Sequence, residues 1–140
     1  MRYLPILLLV ILGACSTDLQ PALVASNVTI TQPMPGMAMS AGYLTLTNNS
    51  QEIITITRVS SPSYAAVELH ETVIKDGVAR MRPLEKLELP AGTSTILAPG
   101  GKHLMLMRPT KVAADSVSLQ FYDGTTLLLT VTSSEPQESR

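Results

Sequence analysis

Apolar and polar positions alternate in short runs along this chain, and no run keeps a helical period. The alternation predicts strands over Asn27–Thr31, Ala41–Thr47, Ile53–Val59, Ala65–Val73, Val78–Pro83, Leu84–Leu89, Ser94–Leu97, Lys102–Arg108, Ser116–Phe121 and Thr126–Thr132. Turn residues separate them: "NNSQ", "SSPS", "KDG", "PAG", "APGG" and "YDGT". Only 65–73 is short enough to fit a helix as well. Roughly ten short strands in one domain predict an all-β fold, a Greek-key β-sandwich. In "HLMLM" (103–107) successive side chains point to opposite faces. Leu104 and Leu106 then turn to the core, while His103, Met105 and Met107 share the other face.

The first residues break this pattern. "MRYLPILLLVILGAC" has a cationic start, an apolar run and then small residues, the form of an export signal. The run is too short to cross a bilayer, which takes about 20 residues. Leu12-Gly13-Ala14-Cys15 resembles a bacterial lipoprotein signal, and Leu12 fits an ordinary A-x-A cleavage site poorly. The expected organisation is a signal over 1–14, a lipidated Cys15 with a tether to residue 26, a domain over 27–132 and a polar tail over 133–140. That places the protein in the periplasm as a membrane-anchored lipoprotein. Ser16, where enteric lipoproteins kept at the inner membrane carry aspartate, leans towards the outer membrane.

Composition narrows the chemistry. Removing the first 14 of 140 residues leaves 126, enough for one domain with its own core. Cys15 is the single cysteine, and lipid on it would exclude disulfides and thiolate chemistry. Ten bases against eleven acids, with few aromatics, argue against a nucleic-acid partner. Ser, Asp and Glu are scattered without a histidine base to spare, so a hydrolase triad has no support.

Those two histidines each have methionine near them. His103 and Met105 lie two apart on one strand. His70 and Met81 flank the turn "VIKDGV". If the loop is Ile74 to Gly77, His70 lies directly opposite Met81; a tighter turn on Asp76-Gly77 shifts each strand by one residue and leaves them diagonal. A sandwich could gather both pairs at one end. Two imidazoles and two thioethers are all neutral, and soft donors of this kind favour monovalent copper. Methionine on a strand is also ordinary core filler, so a metal-free sandwich stays open.

The spacing itself adds to this. His70, ten residues, Met81, twenty-one residues, His103, one residue and Met105 resembles the motif of the periplasmic copper chaperones called PCuAC. "LAPGGKHLMLM" (97–107) looks like that family's hallmark strand and "MPGMAMSAGYLTLTN" like its early strand. The resemblance implies a cupredoxin-like sandwich that binds Cu(I) at His70, Met81, His103 and Met105. It also implies a carrier, not an enzyme, delivering copper towards cytochrome c oxidase. The oxidase's copper-site subunit or oxidase assembly factors would be its partners. General copper handling, or a metal-free interaction module, are the alternatives. Two departures stand out: Glu71 follows His70 where many members have methionine, and the tail lacks the His- and Met-rich extension that takes up Cu(II) in some.

Other residues read less sharply. Met34, Met37 and Met39 crowd one loop and are either auxiliary thioethers or, more in keeping with methionine's usual use, rim packing. Met107 reads as core filler. Glu68 shares the His70 face and could orient its imidazole, or simply be solvated. Arg80 and Arg82 read as exposed.

Overall fold

The computed structural model describes residues 20–33, 36–110 and 116–134. Cys15, Met34 and the expected tail beyond residue 134 lie outside them. Every regular element among the described residues is a strand: β1 Leu23–Ile30, β2 Met39–Asn48, β3 Ile54–Ile56, β4 Arg58–Ser61, β5 Tyr64–Lys75, β6 Val78–Pro83, β7 Leu87–Leu89, β8 Ser94–Leu97, β9 Lys102–Pro109, β10 Ser116–Asp123 and β11 Thr126–Ser134. The all-β sandwich expected from the alternation is what forms.

One antiparallel path runs β1-β2-β9-β5-β4-β10-β11, with β8 beside β2 and β6 beside β5; β3 and β7 make a separate pair. The two ends of the path, β1 and β11, pack against each other, so the sheet nearly closes on itself. Its inner face is filled by Leu44, Leu46, Ile56, Leu89, Leu104, Leu106, Leu119 and Phe121, none more than 2% exposed. Six of these are the inward members of the period-2 pattern in β2, β9 and β10, and Ile56 and Leu89 come from the β3–β7 pair that packs over them. The core cluster holds no methionine among the described residues.

Three departures from the expected elements have local causes. The run 53–59 is two strands, not one. Thr57 donates its amide to the Tyr122 carbonyl (2.9 Å), and the chain passes there from the small pair to the large sheet. β1 begins at Leu23, ahead of the expected Asn27, because Asn27 is the left-handed residue (φ 53°) of a bulge inside the strand. The turn between β5 and β6 is the tight one. Lys75 pairs with Val78, and Asp76 and Gly77 both have positive φ, as a type I′ turn requires.

Two long strands each serve three partners, two of them sharing one edge. β2 pairs with β9 through residues 39–42 and with β8 through 44–47. β5 pairs with β4 near its start and with β6 over 70–75, while β9 runs along its other edge. The β2–β9 contact is close at Gly42. A Cβ there would sit 3.1 Å from Leu104 Cβ and 3.1 Å from Leu106 Cδ1. On the face opposite the histidines, Glu71 of β5 ties both neighbours, accepting from Arg82 of β6 at 2.9 Å and lying 3.6 Å from Lys102 Nζ of β9. Arg82, expected merely to be exposed, is thus half of an ion pair, and its hydrogen bond is the main reason the Glu71 carboxyl titrates below the usual carboxylate range.

Two outcomes follow from this packing. Gly42→Ala overfills the β2–β9 seam and lowers unfolding free energy by about 1–3 kcal/mol in denaturant melts, despite alanine's better strand entropy. Glu71→Gln lowers the melting temperature at neutral pH. Because the folded carboxyl has the depressed pKa, its contribution is complete above the ordinary carboxylate pKa and fades as pH falls through the lowered one. The two melting curves should therefore converge in acid; a gap that persists there would show the ion pair is irrelevant.

Candidate metal centre

The β5–β9 ladder fixes the centre of the site. His70 pairs directly with His103, and Glu68 with Met105 one alternate position along. Paired residues share a face, so Glu68, His70, His103 and Met105 all lie on the side away from Leu69, Leu104 and Leu106. The two imidazole centroids are 6.0 Å apart with planes tilted 46°.

Each ring is held by a hydrogen bond that decides which nitrogen is left over. His103 Nδ1 lies 2.9 Å from the Gly101 carbonyl, which only accepts, so Nδ1 carries the proton and Nε2 the lone pair. His70 Nε2 lies 3.0 Å from Glu68 Oε2, so an ionised Glu68 takes that proton and the lone pair sits on Nδ1. His70 Nδ1 is buried and has no hydrogen-bond partner among the described residues. An unpartnered buried acceptor is costly, and metal ligation is one of the few roles that explains it. In this geometry Glu68 holds the His70 ring by a hydrogen bond.

His103 is only 5% exposed, on a face where its strand neighbours Met105 and Met107 are half-exposed. This burial breaks the alternation and was not readable from the pattern. Met107 is on that outer face and outside the core cluster, so it is not the core filler expected. Its partner across the ladder is Met39, which lies in β2 and not in a loop.

Met81 does not oppose His70. The tight turn pairs it with Thr72 and sets Pro83 opposite His70, leaving Met81 diagonal to the imidazole. It is 61% exposed, yet it reaches the same pocket as Met105, a cavity of about 380 Å³ whose wall also includes Met37, Met39, Ala41 and Tyr43. Both expected thioethers thus border one cavity, which Met105 shares with the strand that carries His103. Met37 and Met39, left open between rim and ligand, border it too.

The donor chemistry is selective. Among the described residues no three His, Cys, Asp or Glu side chains gather as a metal site, so the usual sets for zinc or calcium are not assembled. What the fold does assemble is two imidazole lone pairs and thioethers, a set suited to a soft monovalent ion.

The family model described as "LpqE-like: Putative lipoprotein LpqE-like" matches residues 23–132. "Putative lipoprotein Lxx21020" of Leifsonia xyli subsp. xyli is 34% identical over 96 residues, 65% of this chain, and the chain spans 58% of that relative's length. Among solved structures, CuI-DR1885 from Deinococcus radiodurans aligns with a TM-score of 0.67 at 24% identity, covering 87% of this chain and 83% of that one. The copper-bound PCuAC domain from PmoF2 aligns with a TM-score of 0.64 at 16% identity, covering 85% and 94%. The likeness to PCuAC drawn from the His and Met spacing thus holds at the level of the fold. Since the family match runs from the first strand nearly to the end of the last, the chain belongs to the LpqE-like family, and its fold is that of the PCuAC domains.

Proposed function

We propose that the protein is an extracytoplasmic carrier of Cu(I), held to a membrane by lipid on Cys15. The observation that carries this reading is the buried Nδ1 of His70, unpartnered among the described residues, on a side chain that shares its sheet face with the fixed His103 ring. His70 through Nδ1, His103 through Nε2, Met105 and Met81 would hold the ion. All four donors are neutral, so binding needs no thiolate and moves no proton, provided both imidazoles begin uncharged. Four donors leave no open position for a substrate, which favours carriage over catalysis. The similar chains named copper-bound and CuI support copper as the cargo. Delivery towards cytochrome c oxidase, through its copper-site subunit or assembly factors, is the destination the PCuAC likeness suggests. The lipoprotein description of the family supports the anchor, and the outer membrane is the favoured location.

The test is an anaerobic Cu(I) titration of the protein against a chromophoric chelator. One tight equivalent is expected in the wild type and none in His103→Ala with Met105→Ala. Met81→Leu separates ligation from packing. At 61% exposure it contributes little to the core, so its melting temperature should hold while Cu(I) affinity drops by about tenfold or more. Equal affinity in wild type and Met81→Leu would remove Met81 from the site, and no competitive binding by the wild type would end the carrier reading.

Glu68 offers a separate check. Glu68→Leu removes the acceptor for His70 Nε2–H, so the ring loses its fixed tautomer, visible in imidazole 15N shifts, and Cu(I) affinity falls by about 10- to 100-fold. Unchanged 15N shifts would mean Glu68 does not set the ring.

A further inference from the structure

The methionines of this protein are not where a packing role would put them. Met37, Met39, Met81 and Met105 all line the one cavity of about 380 Å³, although the chain has only seven methionines in all. The core, where methionine serves as filler, has none among the described residues. Apolar side chains left at 38% (Met39), 46% (Met37) and 61% (Met81) exposure contribute little burial, so their common placement calls for another reason.

The geometry orders these groups. Ala41 pairs with Met105 and Met39 with Met107, so Met39 is the diagonal neighbour of Met105 across the β2–β9 ladder. Ala41 contributes only a methyl group between them, which keeps the cavity open at that point. Exposure rises from the buried His103 through Met39 and Met37 to Met81, and Met105, two residues along β9 from His103, joins the imidazole pair to the cavity wall. Among the described residues the rest of the wall is Thr31, Gln32, Ser40 and Tyr43, with no charged side chain. A lining of thioethers without carboxylates is unattractive to hard divalent ions and receptive to soft monovalent ones.

We infer that Met37 and Met39, together with Met81 and Met105, form a transfer site for soft monovalent cations, through which Cu(I) enters and leaves the histidine pair. This inference rests on the carrier reading above. Met81 and Met105 belong to both places, so the ion can pass by exchanging one donor at a time. On entry a Cu–S bond to Met37 or Met39 breaks as a Cu–N bond to His70 Nδ1 or His103 Nε2 forms, and release reverses the order. The metal stays monovalent and the donors stay neutral throughout. Neither an electron nor a proton is transferred.

A transfer site changes rates, not the final equilibrium. The experiment is stopped-flow, anaerobic transfer of Cu(I) from the loaded protein to excess chromophoric chelator, comparing wild type with Met37→Leu, Met39→Leu double variant. Leucine keeps volume and hydrophobicity and removes the sulfur. The expected result is one bound equivalent with affinity within about threefold of wild type and release slower by about tenfold or more. Release at the wild-type rate would make these methionines surface packing and overturn the inference. Affinity lost along with rate would make them resident ligands, which overturns a transfer role equally. A second reading uses the wild type alone: Ag(I) added beyond the first equivalent should shift the methyl resonances of Met37 and Met39, and their indifference to Ag(I) would also sink it. Failure of the carrier reading looks different, because then the wild type holds no Cu(I) at all.

Discussion

Everything at the candidate site depends on the register of β5 against β9. Pairing His70 with His103 brings together two residues 33 positions apart in sequence, and it does so through backbone hydrogen bonds that neither side chain controls. A slip of one residue in either strand would turn that strand's imidazole into the core and expose its leucine, Leu69 on β5 or Leu104 on β9. The apolar face therefore holds the polar one in place. The cost of exposing those leucines is what keeps the imidazoles opposed.

On that fixed ladder, small local choices determine the chemistry. The Gly101 carbonyl and the Glu68 carboxylate each accept a hydrogen bond from one ring N–H, and they leave different nitrogens free on the two histidines. Ala41 leaves space where a larger residue would close the cavity. The type I′ turn at Asp76-Gly77 shortens the hairpin and carries Met81 to the cavity edge, not to the position facing His70. None of these residues is a metal donor. Each decides how donors are presented.

Much of this was legible in the sequence because strand alternation is a strict period. It sorted Leu104 and Leu106 from His103 and Met105, and it placed nine of the eleven strands close to where they lie. Other features were hidden for physical reasons. Asn27 reads as a strand boundary because asparagine tolerates left-handed backbone, and here that tolerance is used for a bulge inside β1. Thr57 has nothing in its side chain to mark the change of sheet, since the signal is an amide bonded to a carbonyl 65 residues away. Turn length at Asp76-Gly77 had two solutions, and the aspartate-glycine pair accepts the tighter because both residues adopt positive φ. The burial of His103 and the solitary Nδ1 of His70 are tertiary facts with no local signature.

The hairpin strand β6 is exposed at all six positions and pairs only with β5 among the described strands. Its outer edge therefore presents free backbone donors and acceptors, the kind of border along which chains stack into aggregates. The same strand bears Met81. Arg80, Arg82 and Pro83 surround that methionine with two positive charges and one residue that lacks an amide hydrogen. They act as guards against strand addition. A thioether can then stand at the rim, open to whatever molecule exchanges cargo with it, without the rim becoming a seed for self-association.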